Sequence, residues 1–335
     1  MSSIDELIQK IEKKHGTGSV MLLGQAVSDL VPVIPTGSLT LDIALGVGGV
    51  PRGRITEIFG PYQSGKTTIC LSIAAQCQKM GGKVAYVDVE HALDSAWAKL
   101  IGVDVGSLVI SQPEYAEQAL DIMQILAESG EIDLIVLDSV ASLLPKAELE
   151  GEMGDSHMAL TARLMSQAMR KLTPILSNTR CAAIFTNQLR QKIGVVYGSP
   201  ETTTGGEALK YYSSVRLDVR KRQDIKSAND IIGNEIRVTV KKNKVAPPFL
   251  ACDLAILYDR GLHKAYELVE LSIFCGLAEK TGAWLTFFSG TPDEIKLNGH
   301  SKAVELVDKD SAFADVLEHK LRLRNGLPVL ASYGN

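Results

Sequence analysis

No uninterrupted apolar run of about 18 residues occurs in the sequence, so no segment reads as a membrane span. The N-terminus, Met1-Ser2-Ser3-Ile4-Asp5-Glu6-Leu7, lacks the charged-then-apolar order of a secretory signal, and the chain is expected to stay in the cytosol. Cysteine is sparse. The five cysteines (Cys70, Cys77, Cys181, Cys252, Cys275) are widely spaced and mostly embedded in apolar runs, which argues against a disulfide framework and for small buried hydrophobes in a reducing compartment. The six histidines (His15, His91, His157, His263, His300, His319) show no ligand spacing and are assigned no metal.

What remains is an ordinary globular composition: 335 residues, 45% hydrophobic and 22% charged, long enough for one large domain plus a smaller one. The net charge of −4 argues at first against a nucleic-acid partner, but its distribution points the other way. Between Thr161 and Val245 stand 16 Lys and Arg against 6 Asp and Glu, while the rest of the chain carries 19 against 33. A basic segment set in an acidic chain suggests a surface for a polyanion. Acidic neighbours in three dimensions could instead neutralise it.

The stretch that organises the chain is Gly60-Pro61-Tyr62-Gln63-Ser64-Gly65-Lys66-Thr67-Thr68, which follows the strand-like run Arg54 to Phe59 and precedes a helix-like run from Thr68 to Met80. It fits the phosphate-binding pattern of two glycines, lysine and a hydroxyl residue in the required strand-turn-helix context. Glycines at both ends let backbone N–H groups point inward, and the helix N-terminus adds partial positive charge. Lys66 is expected to reach the β- and γ-phosphates of ATP, and Thr67 to ligate the Mg²⁺ that bridges them.

Lys83 to Glu90 and Leu134 to Ser139 read as near-continuous apolar strands, with a helix between them carrying Ala119, Ile122, Met123, Ile125 and Leu126. Such alternation indicates a parallel sheet covered on both faces. Ligands gather at the carboxyl ends of such strands, so Asp138 is expected to complete the Mg²⁺ shell opposite Thr67. Glu90 ends a neighbouring strand and, if the two strands are adjacent, could deprotonate the attacking water; it could otherwise cap the following helix. A strand from Cys181 to Gln188 makes Gln188 a candidate contact to the γ-phosphate.

Other segments are less regular. Ser3 to His15 reads as an amphipathic helix, and Ser38 to Leu45 as a short one ending at Gly46. Lys146 to His157 reads as an acidic surface loop, and Met158 to Leu176 as a long helix with Arg163, Arg170 and Lys171 off its apolar face. Leu189 to Gly206 has no clear period and is long for a connection. Arg190 and Lys192 supply charge for phosphates there, while the threonines and Gly205-Gly206 supply polar donors. Tyr197 is its one residue able to stack on a base, so no stacking platform is expected. Ser213 to Arg220 and Asn234 to Lys241 read as antiparallel strands joined by a charged turn, Lys221 to Asn229. Lys241, Lys242 and Lys244 would suit a solvated edge strand on pattern alone. Beyond Gly261, a helix from His263 to Lys280, a strand from Gly282 to Phe288 and a helix from Ser311 to Leu323 indicate a small α+β domain.

The phosphate loop, Val89-Glu90-His91-Ala92-Leu93-Asp94, Glu150 to Met158, Met165 to Lys171, and Glu201 to Gly206 with Ala208-Leu209-Lys210 together resemble the bacterial RecA recombinases over essentially the full length. The resemblance implies an α/β P-loop NTPase of RecA-like fold with a mostly parallel central sheet. It also implies a helix-plus-strand arm for polymerisation at 1–32, an ATPase core at 33–262 and a small C-terminal α+β domain at 263–335. Nucleotide contacts are implied for the loop and for Asp94, Trp97 and Asp138. DNA contacts are implied for two loops, about 148–158 and 189–206, and for Met158, Arg163, Arg170, Arg190, Lys192, Tyr197, Thr204, Gly205 and Gly206. Glu90 would activate water, and Gln188 would couple the γ-phosphate to the second loop. Lys242 and Lys244 would reach a neighbouring subunit's ATP.

The activity implied is DNA-dependent ATP hydrolysis by a helical filament on single-stranded DNA, which pairs with a homologous duplex and exchanges strands. Promotion of repressor self-cleavage in the SOS response and contact with recombination mediators come with the same resemblance. Trp97 stands where the family usually offers tyrosine, Tyr197 where phenylalanine is frequent, and Glu207 where asparagine is usual. The sequence ends without the acidic tail that many members carry. The rival readings are a ring-forming helicase of the same fold, a small-molecule P-loop kinase, and an ATP-switched scaffold.

Overall fold

The computed structural model describes residues 3–17, 19–20, 22, 31–152, 160–191, 201–227 and 230–329. The chain divides into two compact units at Pro32/Val33. In the first, the regular element among the described residues is the helix Ser3–His15, with acidic residues in its first turn and Lys13, Lys14 and His15 in its last, as the helix dipole favours. Its Ile4 and Leu7 are exposed.

The second unit is α/β, built on a central, mostly parallel sheet. The strands Ile55–Gly60, Ala182–Gln191, Leu134–Asp138, Val84–Asp88 and Val109–Ser111 lie side by side in that order, all parallel. On the other side of Ile55–Gly60 the sheet continues through Val215–Ser227, parallel to it, and then antiparallel through Asp230–Asn243, Ala251–Leu257 and Gly261–Leu262.

Because side chains alternate along each strand, the sheet makes two separate cores. One face presents Ile58, Val84, Tyr86, Leu134, Val136 and Ile184 to the Lys66–Lys79 helix. That helix buries Ile69, Leu71 and Ile73 completely, and its middle, Thr68 to Ala75, is buried on every side. The opposite face presents Ala85, Val87, Ile135, Leu137, Ala183 and Phe185 to the helices Ala116–Glu128 and Leu160–Thr179.

The C-terminal segment forms a three-stranded antiparallel sheet, Ala278–Thr281, Trp284–Phe287 and Ile295–Asn298, with the helices Lys264–Phe274, His300–Lys309 and Ser311–Arg324. Its core includes Leu268, Val269, Phe287, Leu317 and Leu321, together with Leu39 from the Leu39–Leu45 helix. A buried charge network joins the same elements: Arg322 bonds Asp42 at 2.7 Å and Glu318 at 2.9 Å, and Lys264 bonds Glu318 at 2.6 Å. Glu267 accepts from the Ser38 hydroxyl at 2.6 Å, and burial pushes its carboxyl above the usual range.

Several sequence expectations need correction. The strand expected to run to Glu90 stops at Asp88, whose carboxylate accepts from the N–H groups of Ala92 and Leu93 and turns the chain away. Leu189–Gln191, expected as aperiodic loop, continue the Ala182 strand and pair antiparallel with Glu201–Thr203. The charged segment from Lys221 is no turn, since the strand runs on to Ser227 and pairs with Asp230–Asn243. Asp230–Asn243 is flanked on both sides from Gly233 to Thr239, so it is no edge strand there, but Lys242 lies past that register and pairs only with Arg216. Within the expected acidic loop, Lys146–Leu149 forms a helical turn. The helix from His263 stops at Phe274, and Gly276, at φ +68°, lets the chain reverse into the Ala278 strand.

Candidate functional site

The phosphate loop is shaped by what cannot fit. Gly65 sits at φ +92°, where a Cβ would stand 2.7 Å from Ile256 Cδ1. At Gly60 a Cβ would meet the Val219 carbonyl oxygen at 2.0 Å. Glycine at both ends therefore lets the loop lie flat on the neighbouring strands while the Lys66–Lys79 helix begins at the next residue. No side chain caps that helix, so the open N–H groups of its first turn face the loop. The Ser64 hydroxyl is buried without a protein partner.

Lys66 Nζ donates to the carbonyls of Pro61 at 2.7 Å and Gly60 at 3.3 Å. Burial lowers its pKa, against the opposing pull of Asp138 and Glu90. These groups line a pocket of about 500 Å³ that also receives Trp97 and Gln188. A larger, more apolar cleft of about 680 Å³ lies against the Lys264–Phe274 helix and holds none of them.

Asp138 closes its strand at the pocket floor. Its carboxylate accepts from Thr67 Oγ1 at 2.9 Å and Tyr86 OH at 2.7 Å on one oxygen, and from Thr186 Oγ1 at 2.5 Å on the other. The strands of Asp138 and Asp88 are adjacent and in register. The Asp138 carbonyl then receives the N–H groups of Val89 and Glu90, which holds Glu90 just beyond the strand end without making it part of the strand. Glu90 Oε1 accepts from Ser139 Oγ at 2.6 Å, with Ser142 Oγ at 3.4 Å and Gln188 Nε2 at 3.5 Å. Lys66, Thr67, Asp138, Glu90 and Gln188 thus converge on one pocket.

The donor set suits a magnesium nucleoside triphosphate. Thr67 and Asp138 supply the hard oxygens that Mg²⁺ prefers, and the lysine, the uncapped helix start and the orphan Ser64 hydroxyl suit phosphate. Among the described residues no cluster of three or more His, Cys, Asp or Glu is placed to hold a metal, so a cation here would complete its shell from phosphate and water. Trp97 lines the pocket. Asp94 caps the Ser95–Ile101 helix, accepting from the N–H groups of Ala96 and Trp97.

Adjacent residues at the end of the Ala182–Gln191 strand face opposite sides of the sheet. Gln188 points into the nucleotide pocket, whereas the wholly buried Asn187 points away, donating to Glu57 Oε1 at 3.0 Å and to the Thr204 carbonyl at 3.1 Å. Thr204 Oγ1 returns a bond to Asn187 Oδ1 at 2.5 Å. Glu57, also wholly buried, is paired with Arg216 at 2.5 Å, whose guanidinium lies over the Phe59 ring.

Next to Thr204, Gly205 and Gly206 both take positive φ and press on the Leu160–Thr179 helix region. A Cβ at Gly205 would stand 2.7 Å from Val140 Cγ1, and one at Gly206 2.9 Å from the Ala162 Cβ. Thr204, Gly205 and Gly206 are thereby set beside the helix that carries Arg163 and Arg170, seven residues apart and so on one exposed stripe. Arg163, Arg170 and the exposed Arg190 have no ion pair among the described residues. Met158, Lys192 and Tyr197 lie outside the described residues.

Much of the remaining basic surplus is neutralised within the fold. Arg216 pairs with Glu57, Arg220 with Glu201 and Asp218, and Arg222 and Arg237 with Asp253. Lys242 is different: its ammonium donates to the carbonyls of Lys210 at 2.7 Å and Tyr211 at 2.9 Å. Burial lowers its pKa, with Lys244 and Arg216 adding to the effect. Asn234 and Ile236, on the same strand, line the pocket, but Lys242 lies six residues beyond Ile236. At about 3.3 Å per residue that is roughly 20 Å away, so neither Lys242 nor the exposed Lys244 belongs to this chain's own pocket.

Sequence reasoning missed Asn187, Glu57, Tyr86 and Thr186. The first pair has a recoverable signal, because Asn187 and Glu57 share the strand parity of the buried Phe185, and a polar residue there requires a partner. Comparison with known proteins agrees with this architecture. The RecA N-terminal domain family matches residues 2–263. The chain is similar to Protein RecA of Thermus aquaticus, with 53% identity over 332 residues that cover 98% of this chain and 96% of the relative. It is also similar to Protein RecA of Mycobacteroides abscessus (51% over 325 residues, 97% of this chain and 93% of the relative). Among solved structures, a RadB recombinase shares the fold with a TM-score of 0.53 at 22% identity, covering 69% of this chain and 98% of that one.

Proposed function

The chain belongs to the RecA family of recombination and repair ATPases, and from that premise we propose that it is a DNA-dependent ATPase that polymerises on single-stranded DNA and exchanges strands with a homologous duplex. The observation that carries this reading is the Asn187–Gln188 pair. It ties the nucleotide pocket on one face of the sheet to Thr204 and its glycine pair on the other.

ATP is the substrate. Its β- and γ-phosphates would meet Lys66, the uncapped helix start and the Ser64 hydroxyl. Thr67 and Asp138 would hold Mg²⁺, which when bound neutralises charge across those phosphates. Glu90, steadied by Ser139, accepts the proton of the attacking water. The water oxygen bonds to the γ-phosphorus, the bond to the β–γ bridging oxygen breaks, and its electron pair leaves on ADP.

Gln188 responds to the loss of the γ-phosphate, and Asn187 passes the strain to Thr204, loosening a DNA surface formed by Gly205, Gly206, Arg163, Arg170 and Arg190. Backbone contacts suffice there, since sequence is read by base pairing. Lys242 and Lys244, too distant for their own pocket, would meet the phosphates of a second copy's ATP and lock the filament. We extend the proposal to repressor self-cleavage and mediator binding by the same filament.

Electron microscopy of the protein with single-stranded DNA and a nonhydrolysable ATP analogue tests the assembly. Helical filaments are expected, and their loss in Lys242→Ala with ATP binding retained supports the shared site. Closed hexamers without filaments would move the assignment to a ring helicase.

A further inference from the structure

Beneath the pocket-lining Asp138 carboxylate lie two buried hydroxyls that the mechanism above does not use. Tyr86 lies mid-strand and is 1% exposed, and Thr186, on the strand at the other side of Leu134–Asp138, is wholly buried. Both stand on the sheet face that packs against the apolar Lys66–Lys79 helix. Burying a hydroxyl in such a face is unfavourable unless it is bonded, and both spend their proton on one carboxylate, that of Asp138.

Register explains how they reach it. Tyr86 pairs with Val136, and Asp88 with Asp138, so Tyr86 is the same-face diagonal neighbour of Asp138 and the long phenol spans the gap. On the other flank Leu137 pairs with Phe185, which brings Thr186 abreast of Asp138, while Thr186 is also paired with Ile58 of the strand that enters the phosphate loop. The Asp138 carboxylate is therefore gripped on both oxygens from its two neighbouring strands. Thr67 adds its own bond to the oxygen that Tyr86 also holds. That bond directs the Thr67 proton toward Asp138 and leaves its lone pairs facing the pocket, as a cation ligand requires.

We propose that Tyr86 and Thr186 are positioning residues that fix the Asp138 carboxylate, and through it Thr67, in the orientation that captures the divalent cation. The inference rests on the assignment of Thr67 and Asp138 as the cation's protein ligands. Partners of this kind change metal affinity by about 10- to 100-fold when removed. Neither residue touches substrate.

The test titrates MgCl₂ into the full-length protein with a saturating nonhydrolysable ATP analogue and follows fluorescence of Trp97, which lines the pocket. Trp284→Phe serves as background, because the chain has 2 tryptophans. Tyr86→Phe, which keeps the ring, and Thr186→Val, which keeps the shape, should each raise the half-saturating Mg²⁺ concentration about 10-fold. Analogue binding at saturating Mg²⁺ and the melting temperature without Mg²⁺ should change little. Thr186→Ser should restore the wild-type value.

Asp138→Asn separates the two levels of the argument. If Asp138→Asn shifts the Mg²⁺ requirement and the two hydroxyl variants do not, the positioning role is overturned and the cation assignment survives. If Asp138→Asn leaves the requirement unchanged, the cation assignment itself fails. Equal weakening of analogue binding with and without Mg²⁺ in Tyr86→Phe would mean a packing defect and would also overturn the positioning role.

Discussion

Replacing Asn187 by leucine should cut communication between nucleotide and DNA while leaving both surfaces in place. The side chain donates to Glu57 and to the Thr204 carbonyl, and accepts from Thr204 Oγ1 and from the Gln188 N–H. Leucine has similar volume and none of these bonds. Each bond contributes about 1 kcal/mol net, and a buried partner left unmet costs about 1–3 kcal/mol. Glu57 keeps its Arg216 partner, so the penalty falls mainly on the tie to Thr204. A coupling loss of about 1–3 kcal/mol corresponds to roughly 5- to 150-fold. The assay is fluorescence anisotropy of a labelled single-stranded oligonucleotide, comparing affinity in ADP with affinity in a nonhydrolysable ATP analogue. The ratio measures the coupling, and by linkage DNA must change analogue affinity by the same factor. Asn187→Leu should lower that ratio at least about 5-fold, and Thr204→Val, which removes one bond, by about 5-fold. A folded Asn187→Leu protein with the wild-type ratio in both directions would refute the route through this residue.

Further outcomes follow from the same geometry. Lys66→Ala should abolish turnover, whereas Glu90→Gln should bind ATP and polymerise without hydrolysing it; wild-type hydrolysis by Glu90→Gln would remove Glu90 from the base role. Arg190→Ala and Arg163→Ala should weaken single-stranded DNA binding evenly across sequences and reduce the slope of log affinity against log salt by about 0.7 for each phosphate that is no longer neutralised, measured by anisotropy. A strongly sequence-dependent weakening would contradict backbone recognition. Arg322→Met should destabilise the fold by about 3–5 kcal/mol in denaturant unfolding, because it leaves the wholly buried Asp42 without its cation. A change below about 1 kcal/mol would show that the network between the Leu39–Leu45 and Ser311–Arg324 helices is dispensable.

The nucleotide half of the site was legible because its chemistry is local. One strand, one loop and one helix start carry the phosphate motif, and strands ending in carboxylates mark the rest. Glu90 shows the limit of that reading. Its place in the pocket was visible, but its support comes from the Asp138 carbonyl and from Ser139, the latter 49 residues away in sequence. Alternation alone could not reveal that the strand stops at Asp88, because Val89 and Glu90 continue the pattern. Asn187 was hidden for a related reason: its partners, Glu57 on a neighbouring strand and Thr204 just past the Glu201–Thr203 strand, depend on a sheet order that no local pattern encodes.

The antiparallel half of the sheet was the least legible. Lys221 to Ser227 is dense in charge and looked like a turn, yet it is a strand whose charges find partners within the sheet: Lys221 pairs with Asp224 on the same strand, and Arg222 with Glu235 on the next strand and Asp253 on the one beyond. The lysines near 242 looked like edge protection for the same reason. The strand Ala251–Leu257, which was not anticipated, covers the same strand from Gly233 to Thr239 and stops short of the lysines. The basic surplus read from sequence likewise divides in two. The hairpin arginines are consumed by internal ion pairs, whereas Lys242 bonds to carbonyls and Arg163, Arg170 and Arg190 have no ion pair among the described residues.

The central claim is that one ATP pocket and one DNA surface are linked through a single strand end. The most direct measurement is ATP hydrolysis with and without single-stranded DNA across a salt series. The account predicts hydrolysis that rises on DNA addition, falls back as salt strips the DNA away, and loses its DNA response in Asn187→Leu. Hydrolysis indifferent to single-stranded DNA at every salt concentration would contradict it.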